Sequence, residues 1–134
     1  MQKQFNIFRR SEDYGSPLRR RLCIDIDPRN SREIRDYLYA NLDDFLMIAE
    51  RILTFDRLHY DKFGREYTGG KHPVSALKFF DAENTRIYCQ EVSNADGEFF
   101  IICAKLFTKR SQKNDKKNIP ILKIISDYEY THKP

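Results

Sequence analysis

The clearest pattern along the chain is a pair of apolar segments separated by turn-forming residues. Residues 86–92 (RIYCQEV) and 99–104 (FFIICA) are rich in β-formers, and Asp96-Gly97 lies between them. An Asp-Gly pair flanked by two such segments is a strong local signal for two antiparallel strands. The sequence therefore predicts a β-hairpin in this region.

Before the hairpin, an alternating segment is followed by a helical one. Residues 22–27 alternate apolar and polar side chains, which predicts a half-buried strand that is ended by Asp27-Pro28. Asn30 and Glu33 then have the spacing of a capping box, which predicts the start of a helix. One helix of about 25 residues fits the pattern that follows, and so do two antiparallel helices joined within 40–44. The apolar positions at helical spacing are Ile34, Leu38, Leu42, Phe45, Ala49 and Ile52.

The remaining segments complete the predicted order of elements. Residues 55–63 could continue the helical region, with Gly64 as its stop. A polar loop is expected at 65–73, and a strand that enters the sheet at 75–80. Residues 119–130 predict a C-terminal amphipathic helix, because Ile121, Ile124, Ile125 and Tyr128 fall on one helical face.

This order predicts an α+β fold. We expect a small antiparallel meander sheet, with an N-terminal helix or helical hairpin and a C-terminal helix. The length of 134 residues predicts a single domain over 1–134. Residues 1–21 form a possible N-terminal arm or extension, within which 4–8 could be an edge strand or an ordered arm. The three scattered cysteines predict reduced core thiols rather than a disulfide or zinc framework.

Charge is concentrated directly after the predicted hairpin. The stretch 108–118 holds five cations and one anion, Asp115, so its balance of +4 equals the net charge of the whole chain. A local excess of this kind is typical of a surface that meets a phosphate backbone, although a solvated surface has the same pattern. The five cations are Lys109, Arg110, Lys113, Lys116 and Lys117.

No segment has the length and apolarity of a membrane span, and a cytoplasmic location is the expectation.

Four pieces follow one another in the C-terminal two-fifths of the chain, roughly 77–130: 86–88 (RIY), Gly97, 100–103 (FIIC) and 107–113 (FTKRSQK), followed by the terminal helix. In this order they resemble the RelE/HigB-like toxins of type II toxin-antitoxin systems, in the RelE/ParE superfamily. The resemblance implies a RelE/ParE-like fold and a metal-independent mRNA endoribonuclease that acts on the translating ribosome. It also implies a cognate antitoxin as partner and no cofactor.

The same resemblance implies roles for individual residues. Arg86 matches the strand arginine of the motif and could grip a phosphate, although an ion pair with Glu83 or Glu91 fits equally well. In plain strand alternation Lys105 falls with Phe99, Ile101 and Cys103. A lysine on that covered face would be costly unless it lined a cleft or the sheet opened there.

The remaining candidates lie after the hairpin. Lys109, Arg110 and Lys113 match the basic motif, and Lys116 and Lys117 extend it as RNA-binding candidates. Relatives place a base-stacking or acid residue near the C-terminus, which makes Tyr130 and His132 candidates for the catalytic set. Tyr128 shares the apolar helix face, so core packing is the more probable role for it.

Two other functions fit the same residues. A ParE-like toxin would have the same fold and would poison DNA gyrase without RNase chemistry. A non-enzymatic nucleic-acid-binding module would account for the charge distribution alone.

Overall fold

The computed structural model describes residues 2–4, 6–10, 22–55, 63–79, 84–94, 97–108 and 118–131. Eight strands and three helices are defined within these ranges. In chain order they are β1 (Gln2–Gln4), β2 (Asn6–Arg10), β3 (Leu22–Ile26), α1 (Ser31–Ala40), α2 (Leu42–Phe55), β4 (Phe63–Tyr67), β5 (Val74–Phe79), β6 (Thr85–Ser93), β7 (Phe99–Thr108), α3 (Asn118–Asp127) and β8 (Glu129–Thr131).

The main sheet is mixed, with the strand order β2-β3-β7-β6-β5-β4. Its β4-β5-β6-β7 part is antiparallel, but β3 runs parallel to β7, with Leu22 opposite Phe99 and Ile26 opposite Cys103. The prediction of a small, wholly antiparallel sheet is therefore wrong, although the successive strands β5, β6 and β7 do form an antiparallel meander. Two helices and three strands separate β3 from β7 along the chain, so no hairpin turn imposes an antiparallel direction on this pair. A second parallel pair, β1 with β8, forms a small sheet of its own.

Both faces of the sheet are covered. On one face, buried side chains of β3, β5, β6 and β7 pack against α1 and α2. On the other face, Val74, Ala76, Tyr88 and Ala104 pack against Leu122 and Ile125 of α3. Burial on both sides explains why β7 begins with six consecutive buried residues instead of alternating apolar and polar ones. Cys23, Cys89 and Cys103 are free and buried within these layers, as predicted.

The helical region consists of two helices, α1 and α2, separated by a break at Asn41. This residue has φ −125° and ψ 39°, and its backbone N–H donates to the carbonyls of Tyr37 and Leu38. Its side-chain amide also donates to the Tyr37 carbonyl, at 3.0 Å. These bonds satisfy carbonyls at the end of α1 that have no helical partner. The structure therefore has two helices in this region instead of one helix of about 25 residues.

Strand β4 was missed by the sequence interpretation. The segment Phe63–Tyr67 is a strand at the edge of the sheet, where helix continuation and a polar loop were expected. Its pairing with β5 shifts between Arg65 and Tyr67, which leaves Glu66 as an extra residue. Because no described strand lies beside the outer edge of β4, polar residues are tolerated and the segment lacks the apolar run typical of an inner strand.

Candidate functional site

A bulge in β7 determines where Lys105 lies. Cys103 pairs with Cys89, but Lys105 pairs with Tyr88, so Ala104 is an extra residue with no partner on β6. Directly opposed residues of an antiparallel pair share one face of the sheet. Because Tyr88 packs in the layer next to α3, Lys105 is on that face as well. The expectation that Lys105 follows Phe99, Ile101 and Cys103 is therefore wrong.

Lys105 borders a cleft of about 160 Å³ between the sheet and α3. Three isoleucines of α3 and the ring of Tyr128 provide apolar walls, and Asn30 closes the side next to α1. The Lys105 side chain is exposed. Within the described part of the chain its ammonium makes no ion pair, whereas Arg65, Lys71, Lys78 and Arg86 each approach a carboxylate. A positive charge is thus available at the mouth of an apolar cleft.

Tyr128 packs against the α3-side core, as the sequence favoured, and also lines the cleft. Its ring lies edge-to-face with that of Tyr130, with 6.0 Å between the ring centroids.

The hydroxyl of Tyr130 is hydrogen-bonded to a buried side chain of the protein. Its hydroxyl donates to Asp27 Oδ2 at 2.8 Å, while Asp27 Oδ1 accepts from the backbone N–H of Arg29 at 2.8 Å. Asp27 is fully buried. Burial and the neighbouring Asp27 carboxylate raise the pKa of the Tyr130 phenol far above its ordinary value. A phenol held in this way stabilises the fold and is a weak proton donor in catalysis.

The Arg86 side chain also forms an ion pair within the protein. Its guanidinium forms an ion pair with Glu66, the extra residue of β4, and Lys78 Nζ lies 3.9 Å from the same carboxylate oxygen. Both the Arg86 and the Glu66 side chains are largely buried, at 11% and 9% exposed. The ion-pair alternative for Arg86 therefore describes the structure, but with Glu66 as partner instead of Glu83 or Glu91. Glu91 pairs with Arg65 at 3.0 Å and accepts a hydrogen bond from Ser75.

The other predicted site residues lie outside the described residues. They are Lys109, Arg110, Lys113, Lys116, Lys117 and His132. In sequence, the five basic ones lie between Thr108, the last residue of β7, and Asn118, the first residue of α3. Lys105 is on β7, and α3 forms one wall of the cleft, so both ends of the basic segment are attached to elements of the site.

The position of α3 depends on contacts that the sequence did not predict. The buried amide of Gln90 donates to the carbonyls of Ile125 and Tyr128, both at 2.8 Å. The backbone N–H of His72 donates to Ser126 O at 3.2 Å, and Ser126 Oγ donates to His72 O. A glutamine inside a β-forming run was the available signal, because a buried amide requires partners.

A search for matching family models, similar curated proteins and similar solved structures found none. No helix among the described residues is long and apolar enough to cross a membrane. The same residues contain no group of three or more His, Cys, Asp or Glu side chains that could hold a metal ion.

Proposed function

We propose that this protein is a toxin of a type II toxin-antitoxin system that binds and cuts mRNA in the cytoplasm, on the translating ribosome. A cognate antitoxin would silence it. The proposal is supported by the resemblance of residues 77–130 to RelE/HigB-like toxins. The observation that carries it is the exposed Lys105 ammonium at the mouth of an apolar cleft, on the strand that leads into the basic segment 109–117.

This arrangement suits a single-stranded RNA. Lysine and arginine side chains attract the phosphate backbone, and an aromatic ring with apolar neighbours offers a surface on which a base can stack. Tyr128 and the isoleucines of α3 are such neighbours, within reach of the same cleft as Lys105. The proposed order of contacts is phosphate at Lys105 and at the basic segment, and an unpaired base in the cleft.

The proposed reaction is attack of a ribose 2′-hydroxyl on the adjacent phosphate, which releases the 5′-oxygen and leaves a cyclic phosphate. Negative charge develops on the non-bridging oxygens during this attack, and a fixed cation stabilises it. Lys105 is our candidate for that cation, and removal of one such group typically costs about 10²- to 10³-fold in rate. Arg86 and Tyr130 would have to leave Glu66 and Asp27 before they could contribute.

The test is induction of the protein in bacterial cells, followed by genome-wide mapping of new mRNA 5′ ends. We expect wild-type protein to create new ends in phase with codons, and Lys105→Ala to lose most of them. The double variant Lys109→Ala/Arg110→Ala should lose them as well. Lys71→Ala is the matched control, because Lys71 does not line the cleft and its ammonium pairs only with the exposed Glu129 carboxylate within the described residues.

The outcomes separate the three functions considered above. Full cleavage by Lys105→Ala would exclude Lys105 as the phosphate-binding cation. Growth arrest without new mRNA ends would contradict the RNase proposal and indicate a protein target such as DNA gyrase. Absence of both effects would leave a non-enzymatic nucleic-acid-binding module.

A further inference from the structure

Asn30 connects the beginning of α1 to the bulge in β7. Its backbone carbonyl accepts from the N–H of Ile34, as expected for the residue before a helix. Its side chain makes no capping bond to α1, which contradicts the predicted capping box. The amide instead donates to the carbonyl of Ala104, with 2.6 Å between Nδ2 and O. A residue type suited to capping is therefore committed to a strand 74 positions away in sequence.

The bulge presents two consecutive carbonyls to the same neighbour. The Cys103 carbonyl accepts from the backbone N–H of Asp27 at 2.8 Å, and the Ala104 carbonyl accepts from Asn30. In a regular strand, successive carbonyls point toward opposite edges of the strand. Here the turn 27–30 receives both of them. The side-chain bond from Asn30 thus satisfies the carbonyl that the bulge turns away from β6.

The orientation of Lys105 depends on this bulge. With regular pairing beyond Cys103, Lys105 would lie opposite Ile87, whose side chain is in the core under α1 and α2. With Ala104 as an extra residue, Lys105 lies opposite Tyr88 and reaches the cleft. Asn30 lines the same cleft as Lys105. Its hydrogen bond to the Ala104 carbonyl holds the backbone of the residue directly before the lysine.

We propose that Asn30 is a positioning residue for Lys105, and that its amide holds the bulge that directs the lysine into the cleft. The inference rests on the proposed function only in giving Lys105 a role in RNA binding. Its structural part, that Asn30 fixes the orientation of Lys105, can be tested without RNA.

The test uses Asn30→Ser and Asn30→Asp. Both substitutes are good helix N-cap residues, so α1 keeps a favourable start, but neither can donate to Ala104 as the amide does. The matched control is Asn41→Ala, which also removes a hydrogen bond from an asparagine amide to a backbone carbonyl, but at the α1–α2 junction and away from the cleft. Circular dichroism first confirms that each variant is folded.

The first readout is the rate at which a soluble amine-acylating reagent modifies Lys105, followed by peptide mass spectrometry. We expect the rate to change by about twofold or more in both Asn30 variants, while Lys71 in the same molecules keeps its wild-type rate. The Asn41 variant should leave both lysines unchanged. Wild-type rates at Lys105 in both folded Asn30 variants would overturn the inference, whatever the protein does with RNA.

The second readout is affinity for a short unstructured RNA. Asn30→Ser should weaken binding about fivefold, the effect expected from the loss of one hydrogen bond. The same change in a Lys105→Ala background should have no further effect, because the lysine that it positions is absent. An equal loss in both backgrounds would show that Asn30 acts independently of Lys105. If wild-type protein binds no RNA, the proposed function fails and the acylation result still decides the inference.

Discussion

Gln90→Leu tests whether a single buried amide holds α3 against the sheet. Gln90 is fully buried in β6, and its Nε2 donates to the carbonyls of Ile125 and Tyr128. Ile125 is in the last turn of α3, where backbone carbonyls lack helical partners. Leucine has a similar size but cannot donate, so the change removes two hydrogen bonds with little change in volume.

The expected cost follows from these bonds. The Ile125 carbonyl also accepts from the backbone N–H of Tyr128 at 3.3 Å, so it keeps one partner and loses about 1 kcal/mol. The Tyr128 carbonyl loses a bond in a partly buried site, which costs about 1–2 kcal/mol. Leucine also removes the buried Gln90 Oε1, which accepts no hydrogen bond from the described residues, and this offsets part of the loss. We therefore expect the free energy of unfolding to fall by about 1–2 kcal/mol.

Urea unfolding followed by circular dichroism measures this change. With a denaturant dependence of about 2 kcal/mol per molar urea, the midpoint should fall by about 0.5–1 M. RNA binding should weaken as well, because Ile121, Ile124 and Tyr128 line the cleft and depend on the position of α3. A midpoint within about 0.25 M of wild type would refute the reasoning, since bonds of this kind cannot be lost from a buried site at no cost.

Three further predictions concern the contacts that fix the C-terminal part of the chain. Gly70→Ala should destabilise the protein by about 1–3 kcal/mol in urea unfolding, because a Cβ there would lie 2.2 Å from Ser126 Oγ; an unchanged midpoint would contradict this close approach. Tyr130→Phe should cost about 1–3 kcal/mol by the same assay, because the buried Asp27 carboxylate loses a donor; a wild-type midpoint would show that the bond contributes nothing. Folding favours the neutral phenol of Tyr130, whose pKa is raised, so its stabilising effect is complete below about pH 10 and declines at higher pH. In an alkaline titration, part of the tyrosinate absorbance should therefore appear only on unfolding, and Tyr130→Phe should reduce that step.

Local patterns predicted the elements whose signals are local. The hairpin of β6 and β7 was found because strand-forming segments flank an Asp-Gly pair, and Gly97 has the positive φ, 82°, that such a turn requires. The helical region was recognised from its apolar stripe, but its break was left open because periodicity continues across Asn41. What ends α1 is a set of hydrogen bonds to the carbonyls of Tyr37 and Leu38, which the stripe does not record.

These local patterns do not determine which distant strands pair or in which direction. The direction of β3 relative to β7 depends on the path of the chain between them, and their side chains would suit either direction. The local patterns also do not show which distant residue forms an ion pair with a given charged side chain. Arg86 was weighed against carboxylates near it in sequence, yet its partner, Glu66, reaches it from the edge strand that the sequence interpretation missed.

Lys105 shows how a conflict in the sequence indicated the site without giving its geometry. Regular alternation placed it on a covered face, where the effective penalty for an unpaired ammonium is several kcal/mol. A bulge interrupts the hydrogen-bond ladder between β6 and β7 at one position only. Asn30 satisfies the carbonyl that the bulge turns away from β6, so the bulge costs no more than about one hydrogen bond. Leu106 and Phe107 are both apolar, and each packs partly against one of the two core clusters, so neither opposes the shift. The charge of Lys105 therefore decides in favour of the bulge, which places the lysine at the cleft instead of in the core.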